Sequence, residues 1–420
     1  MVPLQLVFAA FLAISLVASV VSRKTRTPYT ILLVLIGIAL TTSADPALQG
    51  VQQELQRLSV GGLFVGLVLP PLLFESMMSI RTEEFRAVSR PAIVLATVGV
   101  VVAAVVGGLI VWKFMGLPWY SAFIFGAIIA PTDVATVLEV FRRTVVPARL
   151  ATLLETESVF NDATGIVLLT VFLASLEASG PILLGAVSTF IFVMGGGALI
   201  GLGVAWGARQ VQREASDPLS QIVLTMAAVY GAYGLATAAG VSGLIAVAVT
   251  GLLYGNTVLF RIERRDTEEA TRQFWGVLAF MANTVAFLFI GLSTNILSLI
   301  SSGAAILIAY AVVIVARFAS VYPILGVWHA IGPRLPWAWR NVAMIGGMRG
   351  ALSIVLVSTL DPLLPGRDLI VNMTFGVVIL SVLLQGPLLS AYASRVFGKQ
   401  QTLAEATEEA PQQKPSETLA

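Results

Sequence analysis

The 420-residue sequence has no cysteine and a single histidine. That excludes disulfides and cysteine metal sites, and one imidazole is too few to build a metal cage. Charge is scarce as well. Asp, Glu, Lys and Arg make up 11% of the chain against 57% hydrophobic residues, and the mean hydropathy is +0.91, more than a soluble domain carries without aggregating. The chain is therefore read as an integral membrane protein. Its formal net charge of +2 reflects a few surplus basic residues, and no stretch interleaves basic and aromatic side chains, so no nucleic-acid partner is expected. No GxxxxGK[ST] phosphate loop is present and no soluble domain is appended, so transport driven directly by nucleotide hydrolysis would need another subunit.

What is abundant is long apolar runs. A helix needs about 20 apolar residues to cross the hydrocarbon core, and thirteen such runs are expected, at 3–21, 29–43, 59–79, 90–113, 119–141, 150–176, 181–209, 216–238, 240–258, 272–297, 302–327, 337–361 and 368–396. The first has no basic residue ahead of it and Arg23 and Lys24 behind it, which reads as a retained span with its N-terminus outside. That orientation puts twenty of the 25 Lys and Arg residues in cytoplasmic loops and only Arg57, Lys113 and Arg367 outside; Arg317 and Arg349 fall within spans. The expected units are a membrane domain over 1–399 and a polar, Pro-containing tail over 400–420 that stays disordered in the cytoplasm.

Thirteen spans divide as six, one connector and six, which sets the second six antiparallel to the first, as in inverted repeats. The fifth member of each set carries a polar interruption: "FGAIIAPTDVATVLEVF" in span five and "NVAMIGGMRGALSIVLVST" in span twelve. Pro131 removes a helix hydrogen bond and disfavours helical geometry at Ala130, while Gly346, Gly347 and Gly350 permit unusual torsions. Broken helices free carbonyls and amides that must face protein or a wet cavity. Asp133 suits the positive N-terminal end of one half-helix and Arg349 the negative C-terminal end of another.

Span six opens with "LLETESVFNDATGIVL". Asp162 lies about twelve residues, or roughly 18 Å, along it, near the midplane. Ser158 shares its face, and Glu157 and Asn161 form a neighbouring pair. A charged carboxylate at that depth costs about 2.5–3.5 kcal/mol, so a proton and a small cation compete for it, and that competition couples opposite fluxes. Hard oxygen ligands, namely Asp162, Ser158, Thr132 and freed carbonyls, suit Na+. Arg349 is read as a counter-ion paired with Glu157 and Asn161, Arg317 as a structural partner of Glu75, Glu75 itself as a cavity-mouth or packing carboxylate, and His329 as a solvated residue of a cytoplasmic loop.

The motifs "ESVFNDATGIVL", "APTDVATV" and "GGMRGALSI" together resemble the monovalent cation/proton antiporter-1 family, the NhaP-type bacterial sodium/proton antiporters, over about residues 3–396. The resemblance implies an all-α fold of two inverted six-helix repeats with two discontinuous helices crossing at mid-membrane. It implies Na+ or Li+ exchange for H+ at Asp162, with Ser158, Thr132 and Asp133 completing the site and Glu157, Asn161 and Arg349 supporting it. It further implies no cofactor, a homodimer in the bacterial inner membrane, and an elevator-like step. Electrogenic relatives carry Asp-Asp where this chain has Asn161-Asp162, which implies electroneutral 1:1 exchange. K+/H+ exchange is the alternative on the same scaffold. A channel would want repeated polar rings along a pore, a sensor an output domain, and an enzyme a nucleophile with a base or a metal cluster; none of these patterns is present.

Overall fold

Inside a bilayer every backbone N–H and C=O must be satisfied within the protein, and apolar runs of this length meet that demand as helices. The computed structural model describes residues 4–25, 27–42, 64–133, 135–141, 146–174, 182–212, 217–257, 265–331 and 335–408, which are helical nearly throughout. In chain order, α1 is Leu4–Thr25, α2 Tyr29–Thr42 and α3 Leu69–Ser79, preceded by a π-helical turn Phe64–Val68. α4 is Thr82–Met115; α5 has two halves, α5a Trp119–Ile129 and α5b Ala135–Phe141. Then come α6 Ala148–Ala174, α7 Ile182–Val211, α8 Pro218–Ala238, α9 Gly243–Thr257, α10 Arg265–Leu292 and α11 Gly303–Ile331. α12 is again split, into α12a Trp337–Ile345 and α12b Ala351–Ser358. α13 runs Arg367–Leu380 and Gly386–Glu408 through a π-helical turn Ser381–Gln385.

Each expected span has a helix, but several helices begin or end elsewhere. α4 starts at Thr82 with Glu83 and Glu84 in its first turn, and α10 at Arg265 with Asp266 and Glu268 there. Hydropathy marks where a run turns apolar, whereas a polar first turn whose acids face the positive helix end belongs to the same helix. α10 stops at Leu292, short of the expected 297, and Asn295 caps a separate short helix Ile296–Ser301. α13 continues to Glu408, past the point where a disordered tail was expected at Gln400; residues 409–420 and 59–63 lie outside the described residues. Among the described residues seven helices are long and apolar enough to cross a membrane unaided, and four shorter apolar ones accompany them.

Packing sorts the helices into two groups that cut across the sequence. α4 packs on α5a, α6 and α11, and α13 on α11 and α12b. α2 packs on α10, and α9 on α3, α7 and α8, with α3 and α10 also in contact. The first group thus gathers α4–α6 from one half and α11–α13 from the other, and holds both broken helices. Small residues permit the closest approaches, as is usual between membrane helices. A Cβ on Gly291 would lie 2.7 Å from the Gly37 Cα, at the α2–α10 crossing. Gly291→Val is therefore expected to cost about 1–3 kcal/mol through overpacking, seen as a lower melting temperature of the purified protein; an unchanged melt would remove the argument. Outward helix faces stay apolar: on α7, Phe192 is 62% exposed, Leu199 70% and Trp206 67%, as a lipid-facing surface requires.

Candidate functional site

The two breaks face each other. In α5 the chain leaves the helix at Pro131. Ala130 keeps helical torsions (φ −69°, ψ −41°), so the proline acts through its missing donor and its ring, and not, as expected from the sequence, by forcing its predecessor out of the helix. The ring lodges against Gly165 of α6, where a Cβ would collide with it. In α12 the helix stops at Ile345 and restarts at Ala351, with Gly350 extended at φ −131°, ψ −159°.

Hydrogen bonds tie the breaks together. Asp133 N–H donates to Met348 O at 2.8 Å, and Ser353 Oγ to Ile128 O at 2.8 Å. The Asp133 carboxylate accepts from the Ala135 amide at 2.8 Å and lies against the Ala351 amide, at the N-terminal ends of both α5b and α12b. That is the helix-end role expected of it. Gly350 is glycine for steric reasons, since a Cβ there would fall on the Asp133 carboxylate.

α6 runs beside the crossing and presents the remaining residues. Ser158 Oγ donates to Thr132 O at 2.8 Å. Asn161 Nδ2 donates to Thr132 Oγ1 at 2.8 Å, and its Oδ1 accepts from Thr132 N at 3.4 Å. Asn161 is thus a clamp on the α5 break, not a partner of Arg349. Asp162 lies one residue further on, facing Asp133. Among the described residues no hydrogen bond reaches the Asp162 carboxylate.

The arginines exchange the roles expected of them. Glu157 pairs with Arg317, bidentately, at 2.5 Å and 3.0 Å. Arg317 also donates to Ala343 O, at 2.9 Å from Nη2, and so covers the negative C-terminal end of α12a. Room for it comes from Gly347, where a Cβ would sit 2.5 Å from Arg317 Nε. Arg349 instead donates to Gly347 O at 2.6 Å, and its own amide donates to Ser381 Oγ in the α13 π-turn at 3.0 Å. The direct ion pair of Glu157 is therefore with Arg317, in place of the expected Arg349–Glu157 and Arg317–Glu75 contacts, while the Glu157 charge still acts on Arg349 through space. Packing of α11 on α12a decides this, and span-by-span reading does not show which spans are neighbours. His329 is on the last turn of α11, not in a loop.

A cavity of about 460 Å³ opens onto the crossing. Thr132, Asp133, Ser158 and Asp162 line one wall. The opposite wall comes from the other helix group: Ser19, Ser22 and Arg23 of α1, Tyr29 and Thr30 of α2, Glu75 and Ser76 of α3, and Asn283 of α10. Glu75 thus looks into the same space as Asp162. Asn283 carries no sequence signal that sets it apart, while Ser353 lies in the GGMRGALSI motif and Glu139 is an acid within span five whose partners only the assembled structure identifies. Carboxylates, hydroxyls and a break carbonyl gathered around one cavity are a donor set whose chemistry suits a hard monocation.

A helical bundle whose two interrupted helices cross beside ionisable groups in a cavity is the architecture of a secondary ion transporter. The chain belongs to the sodium/hydrogen exchanger family: the family described as "sodium/hydrogen exchanger, transmembrane" matches residues 9–395. It is 33% identical to the Na+/H+ antiporter NhaS2 of Synechocystis, over 89% of this chain and 67% of that one. It is 31% identical to the Na+/H+ antiporter NhaP of Pseudomonas aeruginosa, over 93% and 97%. The fold is similar to that of the sodium proton antiporter MjNhaP1 from Methanocaldococcus jannaschii, with a TM-score of 0.74 at 24% identity, covering 94% of this chain and 99% of that one.

Proposed function

We infer that this protein exchanges Na+ or Li+ for H+ across the membrane, with the cation and the proton competing for Asp162. The observation that carries this is a carboxylate that opens into a cavity beside two broken helices and is left without a hydrogen-bond partner among the described residues, while its neighbours Ser158, Asn161 and Asp133 are all engaged. A bare carboxylate cannot cross the low-dielectric barrier cheaply, but one bearing a proton or a cation can. Thr132, Ser158 and Asp133 shape the cation's surroundings, Asn161 holds the break in place, and the Glu157–Arg317 pair with Arg349 fixes α6 against α12.

Charge counting supports 1:1 exchange. The crossing holds three carboxylates, Asp133, Glu157 and Asp162, and two guanidinium groups, Arg317 and Arg349. Their formal charges leave one negative charge, which a single Na+ or a single H+ neutralises. The first helix group would be the moving carrier and the second the scaffold, with the chain a homodimer, its N-terminus outside and the Arg23 mouth of the cavity cytoplasmic, in keeping with the distribution of basic residues.

The test is proton flux in proteoliposomes carrying a pH dye and challenged with Na+, Li+ and K+. Saturable flux with Na+ or Li+ supports the reading, flux with K+ alone transfers the mechanism to K+/H+ exchange, and silence with all three rejects it. Electroneutrality predicts that clamping the vesicles from zero to about 100 mV, worth about 2.3 kcal/mol per charge moved, leaves the rate unchanged; a voltage-dependent rate would overturn the 1:1 count.

A further inference from the structure

We propose that Glu139 is a positioning residue for transport, a clamp that holds the carrier group against the scaffold in the conformation whose cavity opens at Arg23. The proposal rests on the exchange reading above and adds a control point to it. Glu139 is on α5b, the half-helix that follows the break carrying Thr132 and Asp133. Its carboxylate reaches across the cavity to the start of α2, accepting from Tyr29 N through Oε1 and from Thr30 N through Oε2, the latter at 3.3 Å. These amides belong to the first turn of a helix, where N–H groups have no partner within the helix and a negative charge is favoured.

Both ends of the clamp are anchored. On the scaffold side the Tyr29 hydroxyl bonds Ser15 of α1 at 2.8 Å and Thr284 of α10 at 2.5 Å, and its ring stacks on Phe280. On the carrier side Val137 and Val140 of α5b are buried in one apolar cluster with Leu150, Leu153 and Leu154 of α6 and with Phe397 of α13. Glu139 therefore joins two packed groups, and any displacement of one past the other has to break its contacts.

A second cavity, of about 280 Å³, lies between the same two groups at the other end of α6. It is lined by Val167 and Thr170 from α6, Thr189 from α7, and Tyr233 and Thr237 from α8. α6 thus carries Asp162 on one cavity and Val167 on the other, and a shift that closes the first opens the second. Releasing Glu139 favours that shift. The clamp thereby sets how strongly the protein prefers the Arg23-side conformation, and with it the apparent cation affinity from that side.

Because the chain has no cysteine, Val167→Cys supplies the only thiol. Val167 is 5% exposed in this conformation. In purified protein the maleimide labelling rate at this cysteine should rise by about tenfold or more when Glu139→Ala is added, tenfold being the size expected for losing even one of the two charge-assisted hydrogen bonds. Glu139→Gln, which keeps an acceptor, should rise less. In proteoliposomes the same alanine variant should raise the cation concentration for half-maximal flux from the Arg23 side more than it lowers the maximal rate. Thr30→Pro deletes one donor amide in the first turn of α2, where the amide has no intrahelical acceptor to lose, leaves Glu139 intact, and should shift labelling the same way. Unchanged labelling in both Glu139→Ala and Thr30→Pro would overturn the clamp. Because labelling needs no transport, a clamp that fails and an exchange reading that fails are told apart.

Discussion

Asp162→Asn is expected to abolish cation-driven proton flux, by more than about 100-fold, because it removes the one charge that a cation and a proton share. The amide keeps the shape of the side chain, and no hydrogen bond among the described residues depends on that carboxylate, so helix content and melting should be close to those of the parent. The contrast with Asn161 is informative. Asn161 bonds both the hydroxyl and the amide of Thr132, so its loss should loosen the α5 break and lower stability together with transport. The measurement is dye-reported flux in proteoliposomes alongside thermal unfolding of the same preparations. Normal exchange by Asp162→Asn would move the site to Asp133.

Glu157→Gln should produce the largest loss of stability. Glu157 is 1% exposed, and it is the carboxylate that Arg317 grips at two points. Neutralising it leaves Arg317 and the 1%-exposed Arg349 buried with no compensating acid at the pair. Breaking a buried pair from one side costs about 3–5 kcal/mol, chiefly the penalty of the orphaned charge, and a drop in melting temperature of about 5 °C or more should follow. The double variant Glu157→Gln, Arg317→Gln removes one of the two stranded charges and should recover a substantial part of the loss. If the single variant melts with the parent, the pair does not hold α6 to α11 and α12.

The two broken helices were legible because their cause is local. A proline after an apolar run and glycines spaced through another interrupt a helix whatever surrounds them. Asp162 was legible for a related reason: a carboxylate that far along an apolar span has no cheap alternative to a function. Helix ends were less legible, as α4 and α10 illustrate, because a polar first turn and the loop before it look alike in composition.

The sequence by itself determined a membrane-embedded helical bundle, its two interruptions, the Asn161-Asp162 pair and the family. Only the tertiary structure decided which arginine meets Glu157, that Asn161 clamps Thr132, that Glu75 shares a cavity with Asp162, and that Glu139 reaches the start of α2. The physical reason is one of range. Backbone breaks and the cost of a buried charge are set within a few residues of chain. Ion pairs and cavity walls depend on which helices become neighbours, and here small-residue contacts select those neighbours from well beyond the local chain, Gly347 beneath Arg317 from about 30 residues away and Gly37 on Gly291 from about 250.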